Sequence, residues 1–448
     1  MKKALLTLLS AAMVMVAGCS SQEPTATTNP ASGEKDVVTV WTYPVHNDYE
    51  PELKKLLESF QSKNPNIEVK YEVLSWAEGP KKFDIALNAG NPPDIYFDKP
   101  LGKYVDTGLL VDIKDMIGDK ANNYEPVAID YMKYEDGLYG LPLYMFLHVW
   151  GGNKALMEKE GIDYVKIQKE GWTWKEFKEI AQKVTKKNEK GEDQYGLVFQ
   201  GSGNTSDELL NHLALNNGLP YRVTKDGQFT WNDDKILDTM KYIRELSDAG
   251  ILPKETAAID PKKRMELFYN NQAVFMGRAI PYFDQMMKTR NADIDAGKVQ
   301  GQKVEFVLLP IPHNEGEKQV AVGGAEGYML FKQKETTDAH LQNSLKVLEH
   351  LTGDEAAQAS ITLGLPPVQK KARETYQPII SKENDEAAKV LAGYVLPPAG
   401  ISVETGAADD QFKAEVILPT VQTLLNGETT PEQALETFQS KGKMIFGK

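Results

Sequence analysis

Residues 37–98 alternate between short β-branched runs and amphipathic helical runs, and that order restricts the fold more than any other feature of the chain. Val37–Tyr43 reads VVTVWTY, a strand of β-branched and aromatic residues. In the next segment Leu53, Leu56, Leu57 and Phe60 fall at i, i+3, i+4 and i+7, so a helix is expected over Pro51–Lys63, stopped by Asn64-Pro65-Asn66. Ile67–Leu74 (IEVKYEVL) alternates as a second strand. Lys81–Ala89 is a short helix ending at Gly90, and DIYF at 94–97 is a third strand. Strand, helix, strand, helix, strand predicts an α/β fold with a parallel sheet and right-handed crossovers.

Residues 150–260 read as mostly helical. Thr173 and Glu176 form a capping box, and a helix with Leu237, Met240, Ile243 and Leu246 on one face starts at Asp233 or Asp234. Strand-like pieces return at 304–310 and 327–331. A helix follows from Thr337 to Leu351, and Thr430-Pro431-Glu432-Gln433 caps another. The 448 residues suffice for two or three domains. A chain that leaves one α/β lobe and returns to it gives two lobes with a cleft between them, where ligands bind.

The first nineteen residues are a separate device. Lys2 and Lys3 precede an apolar run, Ala4–Ala17, too short to span a bilayer and typical of an export signal. The run ends Val16-Ala17-Gly18-Cys19, which resembles a bacterial lipobox. Cys19 is the one cysteine of the chain, so no intramolecular disulfide is expected. A diacylated Cys19 would anchor the protein to the outer face of the cytoplasmic membrane. Residues 20–36 then read as a flexible tether rich in Ser, Thr, Pro and Ala.

The net charge of −13 repels phosphate backbones, so nucleic acid is not an expected partner. The chain holds no phosphate-binding loop, no H-E-x-x-H and no G-x-S-x-G, and its six histidines show no metal spacing. His340 and His350 read as surface residues of a helix. Gly201-Ser202-Gly203-Asn204 reads as a flexible loop, since Ser206 stands where a dinucleotide site needs its third glycine and no clean strand–helix start precedes it. Asp293-Ile294-Asp295 lacks the terminal Glu of a calcium loop. No catalytic residue, metal or cofactor is expected. A glycosidase carboxylate pair leaves no spacing signature, which keeps a glycoside hydrolase open.

Taken in order, several stretches resemble the family 1 extracellular solute-binding proteins, the receptors of ABC importers related in fold to the maltose-binding protein. They are VTVWTY with ESFQSKNPNIEVKYEV, ALNAGNPPDIYF, YVDTGLLVDI, EDGLYGLP at 135–142, GGNKALMEKEGID at 151–163, GWTWKEFKEIAQKVTK at 171–186, FYNNQAVFMG at 268–277 and the segment 336–358. The resemblance covers about 35–440. It departs at Gly152, where a Tyr is usual, and at Arg278, where a small residue is usual. It implies a type II two-lobed fold, with a first lobe of 37–145 plus 278–335 and a second of 146–277 plus 336–448. It also implies a monomeric, non-enzymatic receptor that captures a carbohydrate, such as an oligosaccharide, and delivers it to an ABC importer permease. A peptide, polyamine or phosphodiester is the alternative solute, and a purely structural lipoprotein is a further one.

Under that resemblance the ligand residues lie at the carboxyl ends of strands. Trp41, Tyr43 and His46 follow the first strand, and Asp98 ends the third as a hydroxyl acceptor. LPLYMFLHVW sets Tyr144, Phe146 and His148 on one face. Trp76 and Trp231 are candidate stacking platforms, whereas Trp172 and Trp174 read as structural. Arg278 can pair with a hydroxyl or a carboxylate. Glu326 sits in a glycine context, GGAEGY, that permits close backbone approach.

Overall fold

The computed structural model describes residues 35–447. The signal segment, Cys19 and most of the expected tether lie outside the described residues. The expected tether extends to residue 36, but Asp36 already belongs to the sheet, where it pairs with Ile67.

Among the described residues eleven strands form: β1 (Asp36–Thr42), β2 (Ile67–Val73), β3 (Ile95–Asp98), β4 (Lys133–Tyr134), β5 (Gly137–Leu138), β6 (Leu141–Asn153), β7 (Lys186–Lys187), β8 (Asp193–Val198), β9 (Ala273–Ala279), β10 (Phe306–Leu309) and β11 (Val322–Leu330). Nine of them make one sheet in the order β2-β1-β3-β11-β6-β9-β8-β7, with β10 also on β6. The β1–β2 and β1–β3 pairs are parallel, as the alternation over 37–98 predicts, and the β8–β9 pair is parallel as well. The returning strand β11 runs antiparallel to both β3 and β6, and β6 runs antiparallel to β9 and β10. The sheet as a whole is therefore mixed: a strand that arrives after a long excursion is not held to the crossover rule.

β6 joins two cores. Its first half pairs with β11, and its second half pairs with β9 and β10. The first core gathers Val38, Val40, Ile95, Phe97, Leu141 and Tyr328. The helix Tyr49–Lys63 buries Leu53, Leu57 and Phe60 against it, each contributing about 1.5–3 kcal/mol. The other end of the sheet is covered on its two faces by separate clusters, one around Trp150, Phe177 and Phe275 and one around Val149, Met276 and Leu308. Trp172 and Trp174 are buried in the former, and the Thr173–Glu176 capping box forms as read.

The cores divide the chain differently from the expected lobe boundaries. Leu345, Val347, Leu348 and Leu351, of the helix Asp338–Thr352, pack in the first core and not the second. Val304, Val307 and Leu309, expected in the first lobe, pack with the second. In both cases the hydrogen-bonded or packed neighbour decides, and sequence order does not. His340 and His350 are corrected too. His340 bonds Asp36 at 2.7 Å and Asp94 at 2.9 Å, and His350 bonds the Leu56 carbonyl at 2.8 Å.

The two halves also meet away from β6. The helix Val403–Phe412 anchors Phe412 in the second core and crosses the short helix Gly102–Asp106 of the first. A Cβ at Gly102 would lie 2.3 Å from the Ala407 nitrogen, so only glycine permits this crossing. The Tyr131 and Tyr221 hydroxyls both donate to the Leu396 carbonyl, at 2.7 and 3.4 Å.

Candidate functional site

Two β-bulges flank the crossing between the cores, and each carries a charged side chain. In the β11–β6 pair the register shifts between Glu326 and Gly327, leaving Leu143 unmatched. Gly327 is required there, because a Cβ would sit 2.0 Å from the Leu141 carbonyl oxygen. In the β6–β9 pair the register shifts between Val149 and Gly151, and Arg278 takes φ +53°. A left-handed conformation costs a non-glycine residue about 1–2 kcal/mol, and bulges of this kind re-aim side chains next to functional sites.

Around Glu326 the first core supplies a polar wall. The Tyr144 hydroxyl donates to Glu326 Oε2 at 2.5 Å, and the Tyr104 hydroxyl to Asp98 Oδ2 at 3.3 Å. Burial, and then the Glu326 carboxylate, push Asp98 up to about 6. Behind this wall Tyr43 bonds Tyr96 through their hydroxyls at 2.7 Å and stacks on Trp76 with ring centroids 4.3 Å apart. Tyr43 is 1% exposed, whereas Trp76 is 47% exposed and turns its other face outward. The Trp76 indole donates to the Pro44 carbonyl at 3.2 Å, which fixes its orientation.

The second wall is ionic. Phe146 and His148 stand with ring centroids 4.7 Å apart. The His148 Nδ1 lies 3.5 Å from Glu208 Oε2, and the Arg278 Nε lies 2.7 Å from the same oxygen. Glu208 opens the helix Glu208–Leu215 after β8. Burial alone would raise its carboxyl, but Arg278 foremost, then His148 and His212, hold it well below 4.5. The Trp150 indole donates to His212 Nδ1 at 3.3 Å, so the neutral ring carries its hydrogen on Nε2, which faces Glu208 at 3.8 Å. Burial pushes His212 down to about 3. Beside this cluster Lys413 pairs with Asp207 at 3.1 Å, and Arg222 grips Asp409 with two bonds of 2.9 and 2.8 Å. Gln200 Oε1 and Ser206 Oγ, on the intervening loop, are buried with no partner among the described residues.

The structure thus brings together Asp98, Tyr144, Phe146, His148, Arg278 and Glu326, with Glu326 acting on both Asp98 and Arg278. Trp76 borders them through Tyr43 and Phe97. Four candidates stand apart. Tyr43, expected as a ligand contact, is a residue of the first core, 1% exposed with its hydroxyl bonded to that of Tyr96. Trp231 is 1% exposed in the second core, with its indole bonded to the Pro220 carbonyl. It is a core residue and not a platform. His46 is buried against Tyr49 and Tyr282, with Nε2 3.1 Å from Glu52. Trp41 is half-buried under the Lys82 ammonium.

Asp207, Glu208 and Lys413 were missed from sequence. The G-S-G-N loop, expected to lack a strand–helix start, joins β8 to the helix Glu208–Leu215, and its Gly201 and Ser202 amides are tied to the Ile259 carbonyl. The acidic pair Asp207-Glu208 at the start of that helix was the available signal. Two hollows, of about 390 Å³ beside Ile117 and Tyr124 and about 640 Å³ beside Tyr221 and Pro397, include none of the polar cluster.

The family pattern of bacterial extracellular solute-binding proteins matches residues 43–358. The chain belongs to that family. Its two-lobed fold is that of maltose-binding proteins. It is similar to a Listeria monocytogenes ABC substrate-binding protein in complex with cycloalternan, with 20% identity and a TM-score of 0.71 over 92% of this chain and 100% of that one. It is also similar to the Bdellovibrio bacteriovorus maltose/maltodextrin-binding domain bound to maltotriose, with 21% identity and a TM-score of 0.72 over 92% and 100%. By sequence it is 24% identical to a Bacillus subtilis polygalacturonan/rhamnogalacturonan-binding protein, over 79% of this chain and 71% of that one. The family and fold of this solute-binding protein are those of binding proteins. Among the described residues no helix is long and apolar enough to cross a membrane, and no group of His, Cys, Asp and Glu is placed to hold a metal ion.

Proposed function

We propose that the protein captures a carbohydrate, such as an oligosaccharide, between its two cores and delivers it to the permease of an ABC importer. The observation that carries this reading is the meeting of Asp98, Glu326 and Arg278 at the crossing, bordered by the outward face of Trp76 and by Phe146. A sugar ring presents an apolar face and a rim of hydroxyls. Aromatic faces cover the former, and charged acceptors and donors bond the latter more strongly than neutral groups do. The unpartnered Gln200 and Ser206 oxygens and the sugar-bound structural neighbours support the same reading.

The protein acts as a monomeric receptor, without catalysis and without a metal. It is held at the outer face of the cytoplasmic membrane by a diacylated Cys19. A peptide, polyamine or phosphodiester is the competing solute, because Arg278 stands where the family resemblance leads one to expect a small residue.

Thermal unfolding of the chain from residue 20 tests this against maltotriose, cycloalternan, laminaribiose and galacturonan oligomers, with peptides, spermidine and glycerophosphodiesters as controls. A ligand at about 100 times its Kd adds about 2.7 kcal/mol to the native state. A shift of several degrees with one glycan, recovered intact after prolonged incubation, is the expected result. A shift confined to the controls would replace carbohydrate with that solute class, and cleavage of the glycan would make the protein a hydrolase.

A further inference from the structure

Arg264 is a cation that the binding reading leaves unused. It lies in the helix Pro261–Tyr269, is 2% exposed, and has no carboxylate within ion-pair distance among the described residues. Its Nε is buried without a partner. A buried unpaired charge is costly, so such a residue persists for a specific contact. Its contacts are specific. Nη1 donates to the carbonyls of both Gly277 and Arg278, at 3.1 Å each. The guanidinium also lies over the Phe283 ring, 5.5 Å from its centroid.

Those two carbonyls are the ones the β9 bulge removes from the ladder. Neither Gly277 nor Arg278 has a register partner on β6 or β8. Buried carbonyls need donors, and a charged donor makes the stronger bond. One terminal nitrogen with two hydrogens satisfies both at once and spans the residue that carries φ +53°. That residue is Arg278, whose Nε faces Glu208 and whose side chain is 26% exposed. No hydrogen bond among the described residues engages its two terminal nitrogens, which leaves them as donors for a ligand.

We infer that Arg264 is a positioning residue: it fixes the left-handed bulge that aims the Arg278 guanidinium into the cleft, and so sets affinity for ligand without touching it. This rests on the carbohydrate reading of the cleft. A neutral side chain packed in the same space would hold the sheet but not the two carbonyls.

The test is a double-mutant cycle read by calorimetric titration with maltotriose, or with whichever glycan of the panel above stabilises the wild type most. Arg264→Met in the wild-type background is expected to weaken binding at least tenfold, and Arg264→Lys, which keeps a charged donor, to recover part of that loss. In an Arg278→Ala background, where there is no guanidinium left to aim, Arg264→Met should change affinity less than twofold. A tenfold loss in both backgrounds, or none in either with the fold intact, overturns the inference. If Arg264→Met does not fold, Arg264→Lys carries the same cycle. If no glycan binds the wild type, the carbohydrate reading falls. Crystal structures of wild type and Arg264→Met then decide the positioning claim alone. Residue 278 should shift out of its wild-type left-handed geometry in the variant, and an unchanged bulge would overturn it.

Discussion

Replacing Glu208 with Gln isolates the electrostatic keystone of the second wall. The side chain is nearly isosteric, so packing is preserved while the charge is lost. In the native protein Glu208 Oε2 lies 2.7 Å from Arg278, 3.5 Å from His148 and 3.8 Å from His212. Removing one partner of a buried ion pair costs about 3–5 kcal/mol, because the other charge is left uncompensated. Here the Glu208 and Arg278 side chains keep 14% and 26% of their exposure, and water recovers part of the loss. That sets the expectation at about 2–3 kcal/mol.

For a core of about 200 residues this lowers Tm by roughly 4–12 °C. The assay is thermal unfolding of wild type and Glu208→Gln from pH 3 to 8. The carboxyl is held below its ordinary 4.5, so its contribution is fully present above that pH and is lost as pH falls through the lower folded value. The two proteins should therefore differ most at pH 6–8 and converge as the pH drops toward 3. Removing Arg278 as well should recover much of the loss, since no orphan cation remains beside residue 208. A Glu208→Gln variant within about 0.5 kcal/mol of wild type at pH 7 would refute the reasoning.

Other consequences are as direct. Asp98 is raised to about 6 above its ordinary 3.8, so its ionisation opposes folding above that range. Asp98→Asn should gain about 1–2 kcal/mol at pH 8, discounted for partial exposure, and gain almost nothing near pH 4, while weakening glycan binding at least tenfold. Urea titrations at the two pH values check the first part and calorimetry the second. Trp76→Ala should weaken glycan binding by about 0.5–1.5 kcal/mol and leave the fold cooperative, as read by fluorescence titration and circular dichroism. His340 is raised by its bonds to Asp94 and Asp36, although burial opposes the shift. His340→Gln should therefore cost about 1–2 kcal/mol at pH 5–6 and less at pH 9, in parallel urea melts. Cys19→Ser should release the protein to the medium in cell fractionation; retention at the membrane would refute the anchor.

The elements of the first core were legible because their signals are local. The i, i+3, i+4 spacing of Leu53, Leu56, Leu57 and Phe60 and the alternation from Ile67 each mark one buried face. The capping boxes at Thr173 and Thr430 fixed two helix starts for the same reason. Long-range facts carried no such mark. Nothing local says that β11 returns antiparallel beside β3, or that Leu345 and Leu348 join the first core.

The site divided along the same line. Asp98 and Glu326 carry local marks, the end of a strand and a run of glycines, and the structure places both at the crossing. Glu208 was missed because its partners, His148 and Arg278, lie 60 and 70 residues away in sequence. Trp231 misled because an aromatic residue near a turn looks alike whether its indole bonds a ligand or, as here, the Pro220 carbonyl.

A crystal structure of the chain from residue 20 with its best-stabilising glycan tests the central claim most directly. The account predicts one sugar ring against the outward face of Trp76 or against Phe146, with hydroxyls within about 3.2 Å of Asp98, Glu326 and a terminal nitrogen of Arg278. A glycan lodged instead in the hollow beside Tyr221 and Pro397, with those three side chains untouched, would contradict it.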